Sequence, residues 1–216
     1  MKNKTGMTPW KKSRKHGDIY GGREKIRLND NIFNKLHSLK RPNPSEKLPI
    51  LIEENPSRDF FFPISASEAE MAIKALPNEA YKGITHIWLR RFKKVEFKNN
   101  KLNLAEIIWG SGVSVIILYP FPKTMIMDFG LKKPSSRKLK EIEKWCSNLI
   151  KKDGRWGLKW EIDNLREYFI SHLLFHEVGH HIDWCYRNLK DSEEFANQYA
   201  IQQADVATQI IRKNKE

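Results

Sequence analysis

Apolar positions along the chain change their period twice. Residues 84–91, 102–109, 113–119 and 124–129 are short runs of β-branched and aromatic side chains separated by turn residues, which predicts strands. Asn99-Asn100 and Gly110-Ser111-Gly112 suit hairpin turns, so the expected sheet is small and mostly antiparallel. The run 113–119 is almost wholly apolar, as an inner strand would be, and Pro120 and Pro122 end it. After Pro134 the period becomes helical, predicting helices over 135–151, 160–184 and from Ser192 to about Ile211. Asp153-Gly154 stops the first of these. Upstream of the strands, Ser65 or Ser67 caps a helix that runs to about Leu76 and stops before Pro77. Strands followed by helices indicate an α+β domain.

The N-terminal portion has no such order. Gly6, Pro9, Gly17, Gly21 and Gly22 punctuate a polar stretch, and 31–40 has room for one short helix. Arg41-Pro42-Asn43-Pro44 breaks it, because a proline pushes the residue before it out of the helical region. The expected organisation is a basic irregular arm over 1–44 and a compact domain over 45–216.

Charge sharpens this division. The formal net charge is +13, and residues 1–41 hold twelve Lys/Arg against three Asp/Glu. That asymmetry permits contact with nucleic acid or an acidic partner through the arm. The Lys/Arg-rich segments 90–101 and 132–140 point the same way. No run of about 18 apolar residues offers a membrane span, and the polar N-terminus lacks a secretory apolar stretch, so a cytoplasmic protein is expected. The two cysteines, Cys146 and Cys185, are far apart and outside any CxxC pair, which fits reduced thiols.

The chemistry concentrates in His176-Glu177-Val178-Gly179-His180. On a helix, residues four apart share a face, so both imidazoles point one way. Two such nitrogens can hold one Zn²⁺. Glu177, one step round, is poorly placed to share the ion but well placed to take a proton from a water bound to it, as general base. This is why the spacing H-E-x-x-H points to hydrolysis. Gly179 disfavours helix, costing about 1 kcal/mol against Ala, and makes sense where another element packs closely. His172 lies one turn before His176, as a rim or core histidine. His181 faces away. Asp183 could cap the helix end. Tyr186 and Tyr199 could stabilise an oxyanion or serve packing.

Two histidines need a third protein ligand. The segment Glu193-Glu194-Phe195-Ala196-Asn197 resembles the Glu-x-x-Ala-(Asp/Asn) signature of gluzincin-type peptidases. The pairing of HExxH with Glu-x-x-Ala-Asn is similar to that in compact ImmA/IrrE-type metallopeptidases. The resemblance covers about residues 165–202. It implies a zincin-like fold and a zinc-dependent peptidase, an endopeptidase acting on protein or peptide. It also implies Glu193 as third zinc ligand and Asn197 as a brace for His176 or His180. In zincins a sheet edge strand near the metal binds the substrate backbone, which implies a strand within 102–128 here. The stretch from His180 to Glu193 is short for the group, so the motif helix must end near Asp183–Cys185 for the chain to fold back. If it does not, Glu194 or Asp205 becomes the candidate. The competing expectation is a nucleic-acid-associated binding protein whose zinc site is structural or vestigial.

Overall fold

The structure is a computed structural model, and it describes residues 39–92, 104–183 and 189–213. The helix expected over 31–40, the Asn99-Asn100 turn, Cys185, Tyr186 and most of the basic arm therefore fall outside the described residues. By its internal contacts the chain divides into two units, residues 1–41 with 109–112 and residues 42–108 with 113–216. The second holds the elements below, apart from the tip of one hairpin.

The described strands are β1 (Ile50–Glu53), β2 (Phe60–Phe61), β3 (His86–Leu89), β4 (Ala105–Gly110), β5 (Val113–Leu118), β6 (Phe121–Pro122), β7 (Ile126–Gly130), β8 (Leu149–Lys152) and β9 (Arg155–Lys159). The helices are α1 (Ala66–Lys74), α2 (Asn78–Tyr81), α3 (Ser136–Ile142), α4, α5 (Leu189–Gln202) and α6 (Ala204–Lys213). Helix α4 is composite, an α-helical stretch Ile162–Glu167, a π-helical stretch Tyr168–Leu174 and a second α-helical stretch Phe175–Ile182. The chain is thus α+β, and its described residues form three small sheets and several helices.

The largest sheet has the order β1-β3-β5-β4. β1 pairs with β3 and β3 with β5 in parallel, with Ile87 opposite both Leu51 and Ile116. β5 and β4 are joined by Ser111 and Gly112, both left-handed with φ 53° and 79°, the two-residue turn that connects antiparallel neighbours. The sheet is therefore mixed, which corrects the expectation of a mostly antiparallel one. Its cause lies in β1, which the apolar pattern does not announce. The chain from β1 to β3 crosses over through α1 and α2, and parallel pairing requires such a crossover. β4 then takes the far edge and β5 inserts between it and β3. The inner strands β3 and β5 are buried at every position, as strands covered on both faces must be.

Helix α1 begins where a capping box forms. The Ser65 hydroxyl accepts from the Glu68 amide at 3.1 Å, and the Glu68 carboxylate accepts from the Ser65 amide at 2.8 Å. The same Glu68 pairs with Arg166 of α4, tying the two helices together. Ala69, Ala72 and Ile73 of α1 join Ile87, Leu89, Ile116 and Leu118 of the sheet and Leu165, Phe169, Phe175 and Val178 of α4 in one buried core.

Two helical expectations are corrected. The helix expected over 135–151 ends at Ile142, and 149–159 forms a hairpin in which β8 pairs antiparallel with β9. Asp153 and Gly154, at φ 50° and 77°, make its two-residue turn, so Asp-Gly here joins strands where a helix stop was expected. β9 also pairs with β7, giving the sheet β7-β9-β8. The helix expected over 192–211 starts earlier, at Leu189, and breaks at Gln203. The break redirects the chain so that Ala207 and Ile211 of α6 reach the core.

Candidate metal centre

The last stretch of α4 carries His176, Glu177 and His180, and it stops at Ile182. Asp183 leaves helical geometry at φ −83° and ψ 49°, its amide bonded to the Gly179 carbonyl at 3.0 Å. The stop lets α5 run back against α4. The two helices come close at Gly179, where an added Cβ would sit 2.7 Å from Ala196 Cα. Glycine is what this approach needs, and Ala196 falls between Glu193 and Asn197 on α5.

The approach brings Glu193 onto the two histidines. Its Oε2 lies 3.4 Å from His176 Nε2 and its Oε1 3.4 Å from His180 Nε2. The two Nε2 atoms are 3.0 Å apart. Ligands bound tetrahedrally at about 2.0–2.1 Å stand about 3.3 Å from one another, so the triangle has the dimensions of one face of a zinc shell. Among the described residues, His176, His180 and Glu193 are the His/Cys/Asp/Glu group whose ligand atoms converge. Glu194 and Asp205, the alternative third ligands, are not part of it.

The donor set itself favours a cation. His176 Nδ1 is 3.1 Å from Asn197 Oδ1, a carbonyl oxygen, so Nδ1 carries the proton and Nε2 presents its lone pair. His180 Nδ1 is 3.2 Å from the Ser192 hydroxyl. Both oxygens of an ionised Glu193 only accept. Acceptors thus crowd one point with at most one proton, on His180 Nε2, to share among them. A cation there satisfies all of them. Burial pushes His176 below its usual range, and His180 adds to this, while Glu193 and Asn197 oppose it. A histidine kept neutral is the form that binds metal.

Glu177 is buried beside this centre. Its carboxyl is pushed up to about 8, chiefly by burial and then by the negative charges of Glu193 and Glu106, against a hydrogen bond from the Ile107 amide. Ile107 and Glu106 belong to β4, so the edge strand of the mixed sheet borders the centre. Glu106 accepts from the Tyr119 hydroxyl, which in turn accepts from Arg90 Nη1 at 2.8 Å.

The remaining candidates have other surroundings. The His181 ring bridges the Ser114 hydroxyl at 3.1 Å and the Lys82 carbonyl at 2.9 Å, joining α4 to β5 and to the end of α2. Tyr199 packs against the core with its hydroxyl buried, and burial raises its pKa. His172 stacks on Tyr168 and packs at a tilt against Trp145, each with ring centroids 5.0 Å away, and its ring is 6.0 Å from that of His176. The Cys146 thiol donates to the Lys159 carbonyl at 3.1 Å. Sequence reasoning did not single out Ser192, Glu106 or Ile107. A hydroxyl next to a candidate ligand is a usable signal for Ser192. Glu106 and Ile107 carry none, since their role depends on which strand takes the edge.

Ser192→Ala is expected to weaken zinc binding about ten-fold, since partners that orient ligand histidines are typically worth about 10–100-fold. Competition with a chromophoric chelator reads this, and unchanged affinity would show that Ser192 does not hold His180 in place. A second expectation concerns acid. Burial, followed by the charge of His176, pushes His172 down to about 4. The unfolded chain takes up the proton from about pH 6.5 downward, the folded one only near 4, so this stability is intact above 6.5 and lost on falling toward 4. At about 1.4 kcal/mol per pH unit, His172 costs the metal-free protein about 3 kcal/mol by pH 4. His172→Phe keeps an aromatic ring in the stack and removes the titration. Urea unfolding of the chelated proteins between pH 7 and 4 should diverge by that amount; parallel curves would refute the assignment.

Comparisons with protein-family models, with curated proteins and with solved structures gave no match to this chain.

Proposed function

We propose that this chain is a zinc-dependent metallopeptidase that cleaves within protein or peptide chains, with a zincin-like arrangement of sheet and helices. The observation that carries the reading is the convergence of His176, His180 and Glu193 in acceptor-rich geometry beside the buried carboxyl of Glu177. The three would hold zinc, with Asn197 and Ser192 fixing the imidazoles. Zinc held by three protein ligands keeps a fourth position for water, lowers that water's pKa toward about 7 and polarises a carbonyl.

The chain's own groups supply the rest. With zinc bound, the ion's charge would favour the ionised carboxylate of Glu177, which would take the proton and return it to the leaving amine. Its burial keeps bulk water from competing for that proton. The Ile107 amide holds the carboxylate from β4. Because β4 is an edge strand among the described residues, an extended peptide can pair along it, backbone to backbone, and so lie across the centre. Such pairing is indifferent to side chains at most positions, which suits an endopeptidase. Among the described residues no helix is long and apolar enough to cross a membrane.

The test is metal removal and return. Full-length protein should cleave an unfolded, fluorogenically labelled casein, lose the activity with a chelator, and regain it at one equivalent of zinc. Cleavage that survives complete chelation, or a zinc-loaded protein inert on every unfolded chain tried, would overturn the reading.

A further inference from the structure

Outside the metal centre, the sheet β7-β9-β8 and helix α3 gather positive charge. Residues 128–160 hold ten Lys/Arg against four Asp/Glu. Asp128 and Arg155 neutralise each other, Arg155 Nε and Nη2 both donating to Asp128 Oδ2 at 2.9 and 2.6 Å, so the excess of positive charge rests on the lysines and Arg137. Lys132, Lys133, Lys138, Lys151 and Lys152 are exposed, and among the described residues none of them has a carboxylate partner.

The register sets several of these charges around one ring. Trp156 in the central strand β9 stands opposite Lys151 of β8 on one side and Gly130 of β7 on the other. The glycine leaves the ring open on that side. Lys133, three residues beyond, reaches back, so that the Lys133 and Lys151 ammonium groups both lie 5.4 Å from the Trp156 ring. Lys138 of α3 lies 5.3 Å from the ring of Phe129, the neighbour of Gly130. Such contacts are weak at an exposed site, and each leaves the ammonium facing water. Two like charges over one indole repel, and a ligand that places negative charge between them removes that repulsion.

We propose that this face, centred on Trp156, Lys133 and Lys151, binds the backbone of single-stranded nucleic acid. Regularly spaced phosphates match several unpaired ammonium groups around a half-exposed indole. A base can stack on that indole once phosphates draw the lysines outward, and such stacking is tolerant of sequence. An anionic membrane would be met through an apolar patch. Among the described residues the exposed large apolar side chain next to the lysines is Leu131, and single exposed leucines are ordinary. The proposal is independent of the metal centre.

The experiment uses the full chain, with its basic arm intact, and a fluorescein-labelled 20-mer of deoxythymidine. Lys133→Glu combined with Lys151→Glu should weaken binding at least ten-fold and flatten the dependence on salt, because each phosphate contact contributes about −0.7 to the slope for single strands. Trp156→Leu should weaken it several-fold while keeping the salt slope. The lysines are exposed and Trp156 half-exposed, and an unchanged far-ultraviolet spectrum and melting temperature confirm folding. The proposal is overturned if the charge reversal binds the oligonucleotide like the parent, or if the parent binds none at 50 mM salt. It is equally overturned if phosphatidylserine vesicles or polyglutamate, at equal charge, bind more tightly than the oligonucleotide and depend on the same two lysines.

Discussion

Glu177→Gln is expected to keep zinc and to lose cleavage, by about a hundred- to ten-thousand-fold in kcat, the usual contribution of a positioned general base. The amide has the size of the carboxyl and can still accept from the Ile107 amide, so the link from α4 to β4 survives. His176, His180 and Glu193 are untouched, so zinc affinity should change little. What disappears is the group that takes the proton. A variant that cleaves at the parent rate would remove Glu177 from the chemistry, and one that fails to hold zinc would make it part of the metal's support.

The same substitution has a signature in the metal-free protein that does not depend on activity. Burial, Glu193 and Glu106 raise the Glu177 carboxyl to about 8 from 4.5. The folded chain therefore holds the proton where the unfolded chain has released it. Stability from this group is intact below about pH 4.5 and is lost as pH rises through about 8. The chelated parent should weaken across that window and Glu177→Gln should not, a difference that thermal melts at several pH values can read.

How much of this was legible in the chain depends on how local each feature is. His176, Glu177 and His180 need only helical spacing, and the sequence supplies it. The α+β class was legible too, because strand-like and helix-like periods occupy different parts of the chain. Glu193 and Asn197 were nameable through their resemblance to a known signature. Their arrival at the histidines rested on the helix ending at Ile182, which no local preference dictates. Sheet order was the least legible. β1 and β3 pair across a crossover, and nothing in the run 84–91 states that its neighbours are 50–53 and 113–118. The edge position of β4, and with it the contact of Ile107 and Glu106 with Glu177, was hidden for the same reason. The hairpin at 149–159 was missed for a different one. Its Lys and Trp positions suit a helix by period, and Asp153-Gly154 serves equally well as a helix stop or a strand turn until the pairing partner is known.

Gly179→Ala is expected to unseat the centre without touching a ligand. In an unconstrained helix this change stabilises by about 1 kcal/mol, because alanine has less backbone freedom to lose. At Gly179 the new Cβ would meet Ala196 Cα at 2.7 Å and the Ala196 Cβ and carbonyl oxygen at 3.2 Å. The obstacle is largely backbone, which cannot rotate aside, so α5 must move away from α4. Overpacking of this kind costs about 1–3 kcal/mol, enough to cancel the gain and reverse it. The movement acts on one turn of α5 that carries Glu193, Ala196 and Asn197 together. Glu193 withdraws from both Nε2 atoms, and Asn197 loosens on His176 Nδ1. Zinc affinity should fall at least ten-fold, together with a lower melting temperature of the zinc-bound protein. Cleavage should fall in parallel with zinc occupancy and recover in part at high zinc. A Gly179→Ala protein that binds zinc as tightly as the parent and melts higher would show that the close approach of α4 and α5 is not what assembles the three ligands.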